Sequence, residues 1–116
     1  MASLEMVGPY DYTSSEIDRV VAKKSPGNYA LGKRKEEEGF IVQYVGRSDS
    51  DVNPELKVKL DGKYKKFKFS YATSAKAAFE KECHNYHDFG GSEKLDNEIH
   101  PRCPDGTDLK CPVCGA

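Results

Sequence analysis

Ala75, Ala78, Phe79, Tyr86 and Phe89 recur at helical spacing. Residues 75–89 are therefore expected to form an amphipathic helix whose narrow apolar stripe must be buried against another element. Ser74 stands where a side-chain oxygen caps the first turn, and Gly90-Gly91 closes the last. Glu82 falls in the middle of the stripe. A buried carboxylate is costly unless it is paired, hydrogen-bonded or bound to a metal. Glu82 is thus either a structural partner for one of the many lysines or a member of a functional site.

Three strand signals upstream give this helix something to lie on. Residues 28–31 form a short strand, and residues 40–46 are apolar at odd and even positions alike, as in a strand covered on both faces. The charged run Gly32-Lys33-Arg34-Lys35-Glu36-Glu37-Glu38-Gly39 between them reads as a solvated hairpin loop. Residues 63–71 alternate, with Phe67, Phe69 and Tyr71 on one face and Lys66, Lys68 and Ser70 on the other. Two shorter helices complete the pattern. One spans residues 16–24 behind a cap at Ser14 or Ser15, with Ile17, Val20 and Val21 on its apolar side. The other spans residues 54–60, with Pro54 as its first residue. Residues 1–13 show no usable period, and the tail after Ser92 is loop-like. The class is α+β.

The chain has 116 residues, of which 37% are hydrophobic and 32% charged. That supports one core and favours an extra tie such as a metal. A net charge of −1 supplies no overall field toward nucleic acid or membrane, so any such binding must come from a local basic face. No apolar run approaches the roughly 20 residues that a membrane helix needs, and no secretory signal opens the sequence. These points lead us to expect a cytoplasmic chain with reduced cysteines, in which four cysteines point to metal before disulfide.

Cys111-Pro112-Val113-Cys114-Gly115 has the spacing and the turn residues of a zinc knuckle. Two further ligands are needed. Cys83 and His87, one helical turn apart on the long helix, share a face and would anchor the tail there. His100 and Cys103 form a competing, more local set. We expect a structural zinc held by Cys83, His87, Cys111 and Cys114, with His100 and Cys103 as the alternative ligands.

Taken in order, the motifs resemble the GIY-YIG nucleases. Gly27-Asn28-Tyr29 on the first strand stands for Gly-Ile-Tyr, and Tyr44-Val45-Gly46 ending the second stands for Tyr-Ile-Gly. A short helix, a third strand and a helix with an inward glutamate follow in the family's order. Glu82 matches the family's metal-binding glutamate, and Asn97 the asparagine that follows the helix. The resemblance covers residues 26–97, with residues 1–25 as an N-terminal extension and residues 98–116 as an added zinc tail of the same single domain. It implies an antiparallel three-stranded sheet flanked by helices. It also implies a DNA endonuclease in which Glu82 holds a catalytic magnesium or manganese ion, Tyr29 and Tyr44 help to activate water, and a basic group stabilises the phosphate.

The sequence departs from the family at one point. Glu55 takes the place of the arginine on the short helix, which implies weakened or absent cleavage; Arg47, directly after Tyr44-Val45-Gly46, is the candidate substitute. Lys63, Lys66 and Lys68 make a basic strip able to follow a phosphate backbone. Two functions therefore stand open: a DNA endonuclease, or a non-catalytic module that binds nucleic acid or a protein partner on the same scaffold. No membrane role is expected.

Overall fold

The computed structural model describes residues 4–35, 39–60, 62–97, 100–104 and 106–115. Its centre is an antiparallel sheet of four strands in the order β1-β4-β2-β3. The architecture is α+β, as expected, with one strand more than the three the sequence signals give. The addition is β1 (Val7–Asp11), drawn from the stretch without a period. It pairs with β4 (Lys66–Tyr71) through Val7↔Phe69 and Tyr10↔Phe67, with a register shift between them. The ring of Tyr10 lies 5.6 Å from that of Phe67 and 6.2 Å from that of Phe69. Cross-strand aromatic contacts of this kind hold an edge strand whose own sequence does not alternate.

β2 (Gly27–Lys35) lies between β4 and β3 (Gly39–Ser48). Both strands of this hairpin run further than expected. A register shift between Leu31 and Gly32 lets the ladder continue past the glycine, where the carbonyl of Ile41 occupies the space that a β-carbon would need. The expected charged loop is thereby shortened, and residues 36–38 of it lie outside the described residues.

The two faces of the sheet carry separate cores. On one, Tyr29, Leu31, Phe67 and Phe69 pack with Ile17, Val21, Val52 and Leu56. Ile17 belongs to α1 (Ser14–Val20), which Thr13 caps by accepting the Glu16 N–H at 3.2 Å. Val52 and Leu56 belong to α2 (Val52–Leu56), which starts before Pro54 because Asp51 caps it, and which tightens into a 3-10 turn at Lys57–Lys59. On the other face, Ala30 and Val45 pack against Tyr86 and Leu95. Tyr86 lies on α3 (Ala75–Asp88), capped by Ser74 as the sequence indicates, with the Ala77 N–H bonded to its hydroxyl at 3.1 Å. Asn28 ties sheet to helix by donating to the Ala78 carbonyl at 2.8 Å. Each fully buried large side chain, such as Phe67, Phe79, Ile17 or Leu31, contributes about 1.5–3 kcal/mol.

After α3 comes a single turn, α4 (Gly91–Lys94), and then the chain runs along the outer side of β3. The Asp96 N–H bonds to the Gln43 carbonyl at 2.7 Å, and Asn97 bonds to Val45. This covers the sheet edge that would otherwise be open. No helix among the described residues is long and apolar enough to cross a membrane.

Candidate functional site

Strand β3 is the place where the two faces of the sheet meet the tail. Tyr44 projects from it toward the α2 side, Arg47 toward the α3 side, and Glu82 reaches it from α3. Together with Glu55, Asn97, His100 and Arg102 they line a cleft of about 300 Å³.

Tyr29 packs behind Tyr44. The two rings stack with centroids 6.3 Å apart and planes 23° apart. Tyr29 is 4% exposed. Burial raises the Tyr29 phenol far above the ordinary tyrosine value, and the neighbouring Tyr44, Glu55 and Glu82 raise it further. Burial likewise raises Tyr44, followed by the charges of Glu82 and Glu55. Both side chains therefore remain neutral hydroxyls near neutral pH. The Lys59 ammonium sits 4.7 Å above the Tyr44 ring.

Glu82 is 8% exposed, so the carboxylate in the apolar stripe is buried. It is paired: Arg47 Nη1 donates to Glu82 Oε1 at 2.5 Å, while Arg47 Nε donates to Asp49 Oδ1 at 2.7 Å. The guanidinium also stacks 5.2 Å over Phe79. Burial outweighs the guanidinium, so the Glu82 carboxyl titrates above its ordinary value. Arg47 thus lines the cleft as the partner of the glutamate, with its donors directed at two carboxylates.

Asn97 lines the cleft and is bonded to the sheet edge. Its Oδ1 accepts from the Val45 N–H at 3.0 Å and its Nδ2 donates to the Val45 carbonyl at 2.8 Å. The amide thereby imitates one more strand residue and positions the tail beside the cleft.

The metal-ligating side chains come together at the end of α3, but in a mixed set. Ligand atoms of His87, His100, Cys111 and Cys114 all lie within 4.8 Å of one another. His87 Nε2 is 3.1 Å from His100 Nε2, and Cys114 Sγ is 3.4 Å from the same nitrogen. Ligands of one tetrahedral ion lie about 3.3–3.8 Å apart, given bonds of about 2.0 Å to nitrogen and 2.3 Å to sulfur. His100 Nδ1 stands 2.8 Å from the Pro101 carbonyl, which can only accept, so that nitrogen carries the proton and Nε2 is left as a donor atom for the metal.

The group takes one histidine from each of the two expected ligand sets and leaves out Cys83 and Cys103. Cys83 is fully buried and adjoins Cys111. Burial raises its thiol, as does its hydrogen bond with Cys111, and it is not one of the four clustered side chains. For Cys111, burial works against the thiolate. The backbone N–H groups of Cys114 and Val113, then Cys83 and His100, outweigh it and bring the thiol down to about 5. Cys103 instead donates to the Thr107 carbonyl at 3.3 Å. Spacing along the helix does not separate Cys83 from His87, because both lie within the reach of the tail; the group of four includes His87 and not Cys83.

The expected basic strip lies apart from the cleft. Lys66 pairs with Asp11, Lys63 pairs with Asp96 at 3.2 Å, and Lys68 lies 5.6 Å over the Phe40 ring. Arg102, which the sequence gave no reason to single out, stands in the cleft wall. Compared with known family models, curated proteins and solved structures, the chain matches none.

Proposed function

We propose that the cleft at the β3 edge binds and hydrolyses a phosphodiester of DNA, in the manner of the GIY-YIG nucleases that the tyrosine triplets resemble. One observation carries the reading: Tyr44, Arg47 and Glu82, drawn from two elements, line one cleft, with Tyr29 stacked behind Tyr44. The charge balance supports it. Asp49, Glu55 and Glu82 outnumber Arg47 and Arg102 in the lining, so the cleft holds an excess of negative charge that a magnesium or manganese ion on Glu82 would reverse. When bound, such an ion stabilises charge on the phosphate oxygens and the leaving oxygen. The neutral Tyr44 hydroxyl then serves as a hydrogen-bond donor and acceptor that orients phosphate and water, and Tyr29 positions it. The test is incubation with nicked, branched and duplex DNA in magnesium or manganese. Metal-dependent cutting that Glu82→Ala abolishes is expected; cutting that survives this change removes Glu82 from the mechanism.

A second reading is a non-catalytic module for nucleic acid or a protein partner. The observation favouring it is that Arg47 occupies the Glu82 carboxylate while Glu55 lines the same cleft. It predicts salt-sensitive DNA binding without cleavage, weakened by Lys66→Ala and Lys68→Ala, and a gain of cutting on Glu55→Arg.

For the cluster of His87, His100, Cys111 and Cys114 we propose zinc. Four nitrogen and sulfur donors with no oxygen donor suit that ion, and a closed set of four gives it a structural role. Elemental analysis of the purified protein is expected to give one zinc per chain.

A further inference from the structure

The cleft and the metal cluster share a residue. His100 lines the cleft on one side and turns Nε2 toward His87 and Cys114 on the other. The next two residues, Pro101 and Arg102, continue along the cleft wall. Whatever fixes His100 therefore fixes where Arg102 stands.

Of the two guanidinium groups in the cleft, Arg47 is committed to Glu82 and Asp49. Arg102 is exposed and has no ion-pair partner among the described residues. Among the described residues that line the cleft, it is the arginine without a carboxylate partner, and Glu55 lines the same cleft. We propose that Arg102 is the phosphate-binding residue of this cleft, carried into place by the metal knot of the tail. The proposal rests on the phosphodiester reading above. A cation delivered by the tail takes over the role that Glu55 cannot perform. It also makes ligand binding depend on a metal ion that never touches the ligand. A guanidinium suits this task because its fork of N–H donors matches the oxygens of a phosphate.

The experiment uses the full chain loaded with zinc, in magnesium buffer, and titrates inorganic phosphate while amide signals are followed by NMR. Saturable shifts at Arg102 and Tyr44 are expected. Arg102→Ala should weaken binding on the order of ten- to a hundredfold, the loss typical of a hydrogen bond to a charged group, and Arg102→Lys should recover part of it. Because Arg102 is exposed, zinc content and thermal unfolding of both variants should match the parent. Phosphate binding unchanged by Arg102→Ala overturns the proposal, and so does binding that shifts signals elsewhere. Removing zinc with a chelator should abolish phosphate binding, and readdition should restore it; undiminished binding without zinc overturns the part assigned to the metal. DNA assays separate this proposal from the one beneath it. Phosphate bound through Arg102 without any cutting retains Arg102 and rejects hydrolysis. Cutting that is equal in parent and Arg102→Ala retains hydrolysis and rejects Arg102.

Discussion

Tyr29 and Gly46 face each other across β2 and β3, and the Tyr29 ring occupies the space over Gly46 where a side chain would stand. The last residues of the two triplets are thus a single packing unit. The glycine is required by the tyrosine, and the tyrosine in turn supports Tyr44.

Gly46→Ala should force the Tyr29 ring or the strand to shift, and overpacking of this kind costs about 1–3 kcal/mol. Thermal unfolding should record a fall of about 4 °C for each kcal/mol in a domain of this size. If the clash is with the ring, Tyr29→Leu in the same chain should recover much of the loss, and the two changes should be non-additive. Equal losses with and without the tyrosine would show that the glycine serves the backbone instead.

Asn97→Ala removes two hydrogen bonds to Val45 at once. It leaves a backbone N–H and carbonyl to find other partners, at about 1–3 kcal/mol. Hydrogen exchange should quicken at the Val45 amide and along the outer side of β3, while the Tyr29–Tyr44 stack persists. A variant that unfolds like the parent would contradict the positioning role given to Asn97.

Much of the fold was legible from periodicity. The stripe on α3, its Ser74 cap and the alternation of Phe67 and Phe69 are set by local sequence, and each is found where the pattern puts it. β1 was not legible, because its place is set by pairing with β4 and by the contacts of Tyr10, both of which join residues far apart in sequence. For the site, the inward glutamate was visible as a charge in an apolar stripe. Its partner Arg47 was visible only as a neighbour of the second triplet. The candidate metal set was half legible: the CxxC spacing is local, but the approach of His100 to His87 and Cys114 joins the tail to the end of α3 and leaves no mark in either stretch of sequence. Arg102 carries no local signature, since an exposed arginine in a loop looks the same wherever the loop goes.

Glu82 gives the fold a pH dependence of definite sign. Burial raises its carboxyl above the ordinary glutamate value in spite of Arg47. The folded state therefore holds this proton more tightly than the unfolded state, and Glu82's contribution to stability is full below the unfolded value and is lost as pH rises through the folded one. Glu82→Gln should flatten that segment of the stability–pH curve above the ordinary glutamate range. Denaturant unfolding of parent and variant at a series of pH values measures it. A variant curve that falls more steeply than the parent over the same window would reverse the assignment.

The ligand set of the tail is the most direct point on which the geometry can be tested. His87→Ala, His100→Ala, Cys111→Ser and Cys114→Ser each remove an atom of the cluster, and each should lower zinc content and the unfolding temperature. Cys83→Ser should behave differently. It alters a donor to Cys111 and leaves the four ligands in place, so the protein should still bind one zinc, with affinity reduced about 10- to 100-fold, as is usual when a supporting partner is changed. Cys103→Ser should leave stoichiometry and affinity unchanged, because that sulfur bonds to the Thr107 carbonyl. Competition with a chelator of known affinity reads all six variants on one scale. Full loss of zinc from Cys83→Ser, together with retention in His100→Ala, would restore Cys83 to the ligand shell and detach the metal from the cleft wall that His100 shares with Arg102.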